Sequence, residues 1–529
     1  MKATTPSSTA GAPGSVGDVR SSERGQRVIA DIHAALDEER WDDVGEILDD
    51  HFFALTLVGP RTLIEVWSRI PHEWVVKHPR RMLASALTDA THGSSDRLDE
   101  QIERAFTHWV LDQDHPAVRD TLSLHALEIR RSLVAGRFTR ANDAADDAER
   151  AIDGLGDADA PVDLLGVVVL HIGLARLVVG DLVRAAAALA EAWRRTTEAA
   201  HPLAPYLAGY CALAHALAGD NVRATTWLDR GRVAFGDNSK VPTFRLQLAG
   251  LLARVLVSVG ALDRDATADL LAQVARTAES GDLWWVGIHA RARHALLWGD
   301  RARALREIEH ALSSSPSLTP PSSLAGALLR ADMSDIHQSL GDLDAALRVV
   351  APLDRAGTHP YLAVSAARAL MIRGRAAEAS ALLDRVEAQH RAGFIEAPRW
   401  RIIRGNLAYL ARPTPTTKAL IAGMGEAIAS AGAADAAQEA LPGLHRLLAE
   451  QAPCPDDKGA RIVPPPMVSL TPREEQVLGL LAAHASVQKI AESMYVSRNT
   501  AKTHLRVLYR KLGVSSREAA LQATAHLRR

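Results

Sequence analysis

The sequence predicts an all-α protein, in which a long array of paired helices precedes a small helical domain at the C-terminus. Of its 529 residues, 47% are hydrophobic but only 4% are aromatic. Ala, Leu and Arg are abundant, a mixture that suits helices packed through small side chains and suits β-sheets poorly. Glycines recur every 33 to 44 residues through the middle of the chain, and a proline-rich stretch sets apart the last sixty or so residues.

The repeating unit is a glycine followed five residues later by an alanine. We predict that the glycine ends the first helix of a pair in the left-handed conformation, and that the alanine lets the second helix approach closely. One pair cannot bury its apolar face alone, so neighbouring pairs stack into a solenoid. The units are Gly136/Ala141, Gly180/Ala185, Gly219/Ala224, Gly299/Ala304, Gly341/Ala346, Gly374/Ala379 and a less regular copy, Gly260/Ala266.

Four segments follow from these patterns. Residues 1–24, rich in Ser, Thr, Gly, Ala and Pro, are predicted to be disordered. Residues 25–452 form the repeat body, which resembles tetratricopeptide repeats with a period longer than the usual 34. Its Trp41–Ala86 region is predicted to be helical with breaks at Pro71 and Pro79, whereas 413–452 cannot be assigned to repeats. Residues 453–468 are a proline-rich linker, and 469–529 are a separate domain.

Several classes of protein are excluded by what the sequence lacks. The two cysteines, Cys211 and Cys454, cannot form a disulfide framework, and no Cys/His spacing predicts a metal site. Neither a phosphate-binding loop, nor a zinc-protease helix, nor a nucleophile elbow occurs, so we expect no cofactor and no enzyme activity. No signal peptide is recognised, and the apolar stretch Leu164–Gly180 contains His171 and Arg176. We therefore expect a buried helix rather than a membrane span, and a cytoplasmic protein.

The charge is distributed unevenly between the body and the C-terminal domain. The stretch from Met467 to Arg529 contains ten Lys and Arg residues and four Glu residues, a net charge of +6. Because the whole chain carries −2, the remainder carries −8. A basic module attached to an acidic body is typical of proteins that bind nucleic acid.

The C-terminal domain is predicted to contain four helices, each with a start signal. Thr471 with Glu474 forms a capping box, Ser486 and Ser497 cap the second and third helices, and Ser515 begins the fourth. Gly513 is predicted to end the third helix as a left-handed cap. The second and third helices are separated by only a few residues, which predicts a helix-turn-helix whose third helix enters the DNA major groove.

The third helix has a buried stripe and a polar face. Ala501, Leu505, Leu508 and Leu512 recur at helical spacing and are predicted to face the core. The polar residues predicted to contact base edges are Asn499, Lys502, Thr503 and Arg506. Hydroxyls, charge and helix N-terminal amides make five further residues candidates for phosphate contacts. These are Ser486, Lys489, Thr500, Tyr509 and Arg510.

These motifs resemble the LuxR-type helix-turn-helix. The resemblance is carried by Leu470–Glu474, Lys489–Ala491, Val496–Ser497, Thr500–His504 and Arg510–Val514. It departs at His484, where Gly is usual, and at Ala501, where Val is usual. The family resemblance implies double-stranded promoter DNA as partner and a homodimer formed through the fourth helix, Ser516–Leu527.

The start of the body resembles the repeat region of large MalT-like LuxR regulators, on the segments Trp41–Asp43, Trp67–Pro71 and His78–Arg80. Those proteins carry an ATPase domain ahead of that region, which we do not expect here because no phosphate-binding loop occurs in the sequence. We therefore expect a bacterial transcriptional regulator whose body senses a ligand or docks a partner. The alternatives are an interaction scaffold whose helix-turn-helix no longer reads DNA and, with no supporting cluster of residues, an enzyme that uses the concave face of the solenoid.

Overall fold

The computed structural model describes residues 23–58, 60–90, 96–155, 162–198, 203–235, 244–277, 283–350, 359–389, 397–411, 415–451, 472–483, 486–512, 514 and 516–523. Within these ranges the chain is helical and contains no β-strand, which confirms the predicted fold class. The helices of the body run over Glu23–Asp37, Trp41–Val58, Pro60–Arg69, His72–Val76, Pro79–Ala90, Asp96–Leu111, Val118–Val134, Phe138–Asp153, Val162–Val179, Leu182–Glu198, Ala204–Leu217, Asn221–Phe235, Phe244–Gly260, Arg264–Thr277, Trp284–Trp298, Arg301–Ser314, Leu324–Ser339, Leu343–Val350, Pro360–Ile372, Ala376–Gln389, Pro398–Leu410, Pro415–Ala431, Ala434–Ala437 and Pro442–Gln451.

The first described helix begins at Glu23, so Glu23 and Arg24 are helical although the sequence predicted disorder through Arg24. Pro71 and Pro79 break the next region as predicted: one precedes the short helix His72–Val76, and the other opens the helix after it. Proline fits at these places because the first residues of a helix have no intrahelical partner for their N–H groups. The predicted linker 453–468 and the remainder of the N-terminal segment lie outside the described residues.

Five of the seven predicted glycine turns have the left-handed backbone. The φ angles are +69° at Gly136, +85° at Gly180, +81° at Gly219, +83° at Gly341 and +81° at Gly374. At each of them the alanine five residues later, which starts the packing of the second helix, is fully buried. The Gly/Ala pattern therefore marks the helix-pair turns where the left-handed residue is glycine.

The prediction is wrong in detail at the two remaining turns. Gly260 is the last residue of its helix, and Leu262 takes the left-handed position instead, with φ +58°. The buried position five residues on is then Thr267, while Ala266 is partly exposed. Gly299 caps its helix with an extended backbone, φ −118°, so this turn does not use a left-handed residue.

An aspartate caps the second helix in most of these turns. The carboxylate of Asp181 accepts a hydrogen bond from the backbone amide of Arg184 at 3.1 Å, and Asp220, Asp263, Asp300 and Asp342 make the equivalent bond at 2.9–3.0 Å. Such a cap satisfies an amide that the helix leaves free and places negative charge at the positive end of the helix dipole. Gly-Asp therefore ends one helix and begins the next.

The apolar helix Val162–Val179 is packed inside the body as predicted. Its Arg176 has no exposed side-chain surface and is held by Asp146, Glu149 and Asn142 on the preceding helix pair. A buried guanidinium needs such partners because an unpaired charge is costly in a medium of low dielectric constant. Among the described residues, no helix combines the length and apolar character required to cross a bilayer.

The array coils so tightly that successive turns of the superhelix touch. A Cβ added to Gly136 would collide with the backbone carbonyl of Ser317, and one added to Gly180 would collide with His359. The residue 179 positions after Gly219 is Pro398, whose ring would lie 3.0 Å from an added Cβ. The loops at three consecutive helix pairs are thus in contact with residues 179 to 181 positions later in the sequence. This separation corresponds to about one full turn of the superhelix. These helix-pair turns are consequently covered by the next superhelical turn rather than by solvent.

Within 413–452, which the sequence did not assign, the described residues 415–451 complete this second turn. Gly432 is left-handed, with φ +65°, and Ala437 five residues later is buried, so the Gly/Ala pattern continues there. The amide nitrogen of Asn221 donates a hydrogen bond to the carbonyl of Gly432 at 2.9 Å, across 211 residues of sequence. This bond joins the end of the body to its centre.

Candidate nucleic-acid interface

The described part of the C-terminal domain contains the helices Pro472–Ala483, Val487–Ser493, Arg498–Lys511 and Arg517–Ala523, which share one core. The predicted stripe on the third helix is confirmed. Ala501, Leu505, Leu508 and Leu512 are all at most 6% exposed, and they pack with Val477, Leu481 and Ile490 from the first two helices. We call Arg498–Lys511 the recognition helix from here on.

Serine hydroxyls cap the second helix and the recognition helix, as predicted. Ser486 Oγ accepts a hydrogen bond from the amide of Lys489 at 3.3 Å, and Ser497 Oγ accepts one from the amide of Thr500 at 3.1 Å. Each cap fixes where its helix begins. Both capping serines are exposed, so a phosphate oxygen could approach the N-termini of these helices.

The turn between these two helices is short and closed by backbone hydrogen bonds. The amide of Tyr495 donates to the carbonyl of Glu492 at 3.1 Å, and the amide of Val496 donates to Ala491 at 3.0 Å. Tyr495 is left-handed, with φ +55°, and Met494 before it is buried in the domain core. Arg473 of the first helix also reaches the carbonyl of Met494, at 3.4 Å. These three hydrogen bonds fix the turn between the two helices.

One face of the recognition helix is polar and exposed. It carries all four predicted base-contact residues, Asn499, Lys502, Thr503 and Arg506. The side chains of Asn499, Lys502 and Arg506 form no hydrogen bond or ion pair with another described residue of the chain. Their donors and acceptors are therefore available to a partner, whereas surface guanidinium groups of the body such as those of Arg194 and Arg375 are held by carboxylates.

The hydroxyls on this face are less available. Thr503 Oγ1 donates to the carbonyl of Asn499 at 3.0 Å, which leaves it only lone pairs with which to accept a further bond. Thr500 Oγ1 lies 2.8 Å from Ser497 Oγ and belongs to the cap. Both threonines are thus bound first to their own helix, a distinction that the periodicity of the sequence could not make.

The five predicted phosphate contacts differ in exposure. Ser486, Lys489 and Thr500 are exposed near the two helix N-termini, while Tyr509 and Arg510 are half-buried at the C-terminal end of the recognition helix. Burial raises the pKa of Tyr509, with Arg517 opposing and Glu518 adding to the effect. Tyr509 packs against the domain core, so only part of its ring is presented to solvent.

The sequence analysis did not single out Tyr495, which is 97% exposed in the turn between the second helix and the recognition helix. A large aromatic side chain so fully in solvent, on a strained left-handed residue, commonly marks a contact surface. Its position outside the helical periodicity gave no signal. Of the other predicted features, Thr471, His484, Gly513 and Ser515 lie outside the described residues, as does the end of the fourth helix beyond Ala523.

Comparison with known families identifies this domain. Residues 468–524 match the family model of bacterial regulatory proteins of the LuxR family. The match covers the four described helices. The chain therefore carries a LuxR-type DNA-binding domain of the kind found in transcriptional regulators. The match does not extend into the repeat body.

Proposed function

We propose that the protein is a sequence-specific transcriptional regulator that reads double-stranded promoter DNA with the recognition helix. The observation that carries this function is the exposed, uncommitted polar face of that helix, held behind a capped and closed turn. Such a helix is rigid enough to present its side chains at the spacing of base edges. The basic charge of the domain adds attraction to the phosphate backbone.

Asn499, Lys502, Thr503 and Arg506 are the proposed base contacts. An amide can pair with adenine through two hydrogen bonds, and Lys or Arg can donate to the acceptors of guanine. We expect Lys502 and Arg506 to carry more of the discrimination than Thr503, because the hydroxyl proton of Thr503 is already given to Asn499. Ser486, Lys489, Thr500, Tyr509 and Arg510 are the proposed phosphate contacts, and Tyr495 is added to them for its exposure beside the cap.

The proposal for the remainder of the chain is broader. The body would act as a cytoplasmic sensor domain of the tetratricopeptide type, related to the repeat region of MalT-like regulators, that takes a ligand or a protein partner. The fourth helix would form a homodimer, and the DNA site would then consist of two half-sites. The Gly-Asp turns and stacked pairs support the repeat assignment.

The test replaces two side chains of the polar face together, Lys502→Ala with Arg506→Ala, and measures affinity for a duplex selected from a random pool. We expect each lost base pairing to cost ~1–3 kcal/mol. The control is Arg303→Ala with Arg306→Ala, two exposed cations on one face of a body helix, which changes the net charge equally. The control should retain the affinity for the selected duplex.

Lys489→Ala separates phosphate from base contacts. It should weaken binding to selected and scrambled duplexes alike. It should also reduce the slope of log affinity against log salt concentration by about one. If the Lys502/Arg506 variant binds the selected duplex as tightly as the wild type, the assignment of the reading face is wrong. If the wild-type protein itself selects no sequence, the chain is an interaction scaffold with a non-reading helix-turn-helix.

A further inference from the structure

A cavity of about 80 Å³, open to solvent on one side, lies where the two turns of the superhelix meet. One side is formed by the first turn, at Leu217–Gly219 and Leu256. The other side is formed by the second turn, at Leu328, Pro398 and Ala433. Tyr361 closes the junction by donating a hydrogen bond from its hydroxyl to the carbonyl of Leu217 at 2.9 Å. Anything bound in this cavity would contact both turns.

A buried charged cluster adjoins this cavity through Arg293, Arg399 and Asp435, which line it. Arg368 pairs with Asp335 at 2.6 Å and with Glu439 at 3.0 Å, and all three side chains are fully buried. Arg399 pairs with the same two carboxylates, each at 2.6 Å. These contacts join helices that begin at Leu324, Pro360 and Pro398 to the segment that contains Glu439. Arg368, Arg399, Asp335 and Glu439 therefore hold the helices of the second turn together, and we call these four residues the buried ion cluster.

Arg293 contacts the buried ion cluster and also lines the cavity. Its Nη2 atom lies 3.2 Å from both Asp435 and Glu439, and its Nη1 atom is 3.7 Å from Asp335. These distances are longer than those of Arg368 and Arg399, so Arg293 is held less closely by the carboxylates. Its Nη1 forms no hydrogen bond with a described residue, only the longer ion-pair contact with Asp335. Arg293 is 3% exposed and lines the cavity, so it is the loosely paired arginine of the cluster that lies nearest to a bound molecule.

Three more side chains that line the cavity have polar atoms without a hydrogen bond to a described residue. Arg399 is 18% exposed and uses Nε and Nη2 for its carboxylates, which leaves Nη1 without a hydrogen bond to a described residue. Asp435 is 15% exposed and accepts only through Oδ2. His289 donates or accepts through Nδ1 with Asp332 at 2.6 Å, so its Nε2 is uncommitted among the described residues.

The charges of the cluster limit the ligand that fits. Arg293, Arg368 and Arg399 equal in number the carboxylates that they contact, Asp335, Asp435 and Glu439, while Asp332 lies 2.6 Å from His289 Nδ1. A zwitterion would add no net charge to this cluster, whereas an anion or a cation alone would add one. The uncommitted guanidinium nitrogens suit a carboxylate, and Asp435 suits an ammonium group. Leu217, Leu256 and Leu328 supply an apolar wall.

We propose that this cavity is a binding site for a small zwitterion, an α-amino acid with an apolar side chain. Its carboxylate is bound by Arg293 and Arg399, and its ammonium group by Asp435. Since the cavity lies between two turns, occupancy joins them more firmly and changes the stiffness of the superhelix. The role of this site as the effector site of a regulator rests on the function proposed above, whereas the binding itself does not.

The experiment uses the purified full-length chain and, as probes, L-leucine, L-isoleucine, L-valine, L-methionine and L-phenylalanine. Titration calorimetry and thermal unfolding should show saturable binding and an upward shift in Tm for at least one of them. For leucine, 4-methylpentanoate lacks the ammonium group and isopentylamine lacks the carboxylate. Each should bind about tenfold or more weakly, because a charged hydrogen bond is lost.

Two variants test the location of the binding site without changing a residue of the buried ion cluster. Ala218→Phe fills the cavity from its mouth, at the residue that caps the helix Ala204–Leu217. Its matched control is Ala135→Phe at the exposed cap of Val118–Val134, which does not line the cavity. Ala218→Phe should abolish binding, and Ala135→Phe should retain it. Asp435→Asn should remove the preference for the amino acid over its carboxylate-only analogue.

Absence of binding by all five amino acids would overturn the proposal, and so would unchanged binding by Ala218→Phe. Duplex selection is measured in the same preparations. Intact sequence-specific DNA binding without amino-acid binding would refute this site and leave the proposed regulator standing. Amino-acid binding that Ala218→Phe abolishes, in a chain that selects no DNA sequence, would support the site and refute the regulator.

Discussion

Replacing single glycines by alanine can measure the contact between superhelical turns. Gly136 and Gly374 both end a helix with positive φ, at +69° and +81°. They differ in what surrounds them: an alanine Cβ at Gly136 would collide with the backbone carbonyl of Ser317, and at Gly374 it would meet no atom of the described residues within 4 Å. The pair therefore separates the cost of backbone strain from the cost of the turn-to-turn contact.

The expected magnitudes follow from these two terms. An L-residue in the left-handed region costs ~1–2 kcal/mol, part of which is offset because alanine lowers the entropy of the unfolded chain. Gly374→Ala should therefore lower the free energy of unfolding by about 1 kcal/mol. Gly136→Ala should cost a further ~1–3 kcal/mol, since a backbone carbonyl cannot rotate away as a side chain can.

The assay is urea unfolding followed by tryptophan fluorescence. All ten tryptophans lie between Trp41 and Trp400, so the signal reports on the repeat body alone. A double-mutant cycle uses Gly180→Ala, whose added Cβ would collide with the His359 side chain. Adding His359→Ala should restore part of the free energy of unfolding that Gly180→Ala removes. Costs at Gly136 and Gly374 that agree within about 0.5 kcal/mol would refute the contact between turns.

Three further predictions concern single residues. Ser497→Ala should destabilise the C-terminal domain by ~1 kcal/mol, measured by circular dichroism on heating, because the amide of Thr500 loses its cap; no loss would contradict the cap. Thr503→Val should lower affinity for the selected duplex less than Lys502→Ala does, since the hydroxyl proton is already donated to Asn499; the reverse order would contradict this. Glu439→Gln should cost ~3–5 kcal/mol by breaking a buried ion cluster. Burial acts to raise the pKa of Glu439, but the charges of Arg399, Arg368 and Arg293 outweigh it and lower the pKa from 4.5 to about 2. Its contribution to stability is thus complete above pH 4.5 and is lost as the pH falls towards 2, and Glu439→Gln should flatten the acid limb of an unfolding curve measured against pH.

The local structure of the repeats could be predicted from the sequence because each turn is encoded within a few residues. Gly180, Asp181 and Ala185 together specify a left-handed stop, a cap and a close approach. The same logic misplaced the turn at Gly260, where Leu262 adopts the left-handed conformation and Asp263 supplies the cap. A glycine is the easiest residue to place there, but a well-capped turn tolerates another.

The contact between turns could not be predicted. The curvature of a solenoid accumulates from small rotations at each repeat, and no local pattern specifies their sum. The charged cluster has the same property, since Arg293, Asp335 and Glu439 are far apart in sequence and each resembles an ordinary surface charge. Only the coiling of the chain brings them together and buries them.

The recognition face was predictable because it depends on one helix. Helical periodicity separates Leu505 and Leu508 from Lys502 and Arg506 without any knowledge of the remaining fold. Periodicity does not indicate which polar groups are already bonded, and so it ranked Thr503 with the others. It also passed over Tyr495, which lies in the turn.

The most direct test of the central claim is the affinity of the full-length protein for a duplex selected from a random pool and for the same bases scrambled. The measurement is made at two salt concentrations. Sequence-specific reading predicts that the selected duplex binds ~10³-fold or more tightly, and that both affinities fall steeply with salt. Equal affinity for the two duplexes would show that the exposed face of the recognition helix does not read DNA sequence.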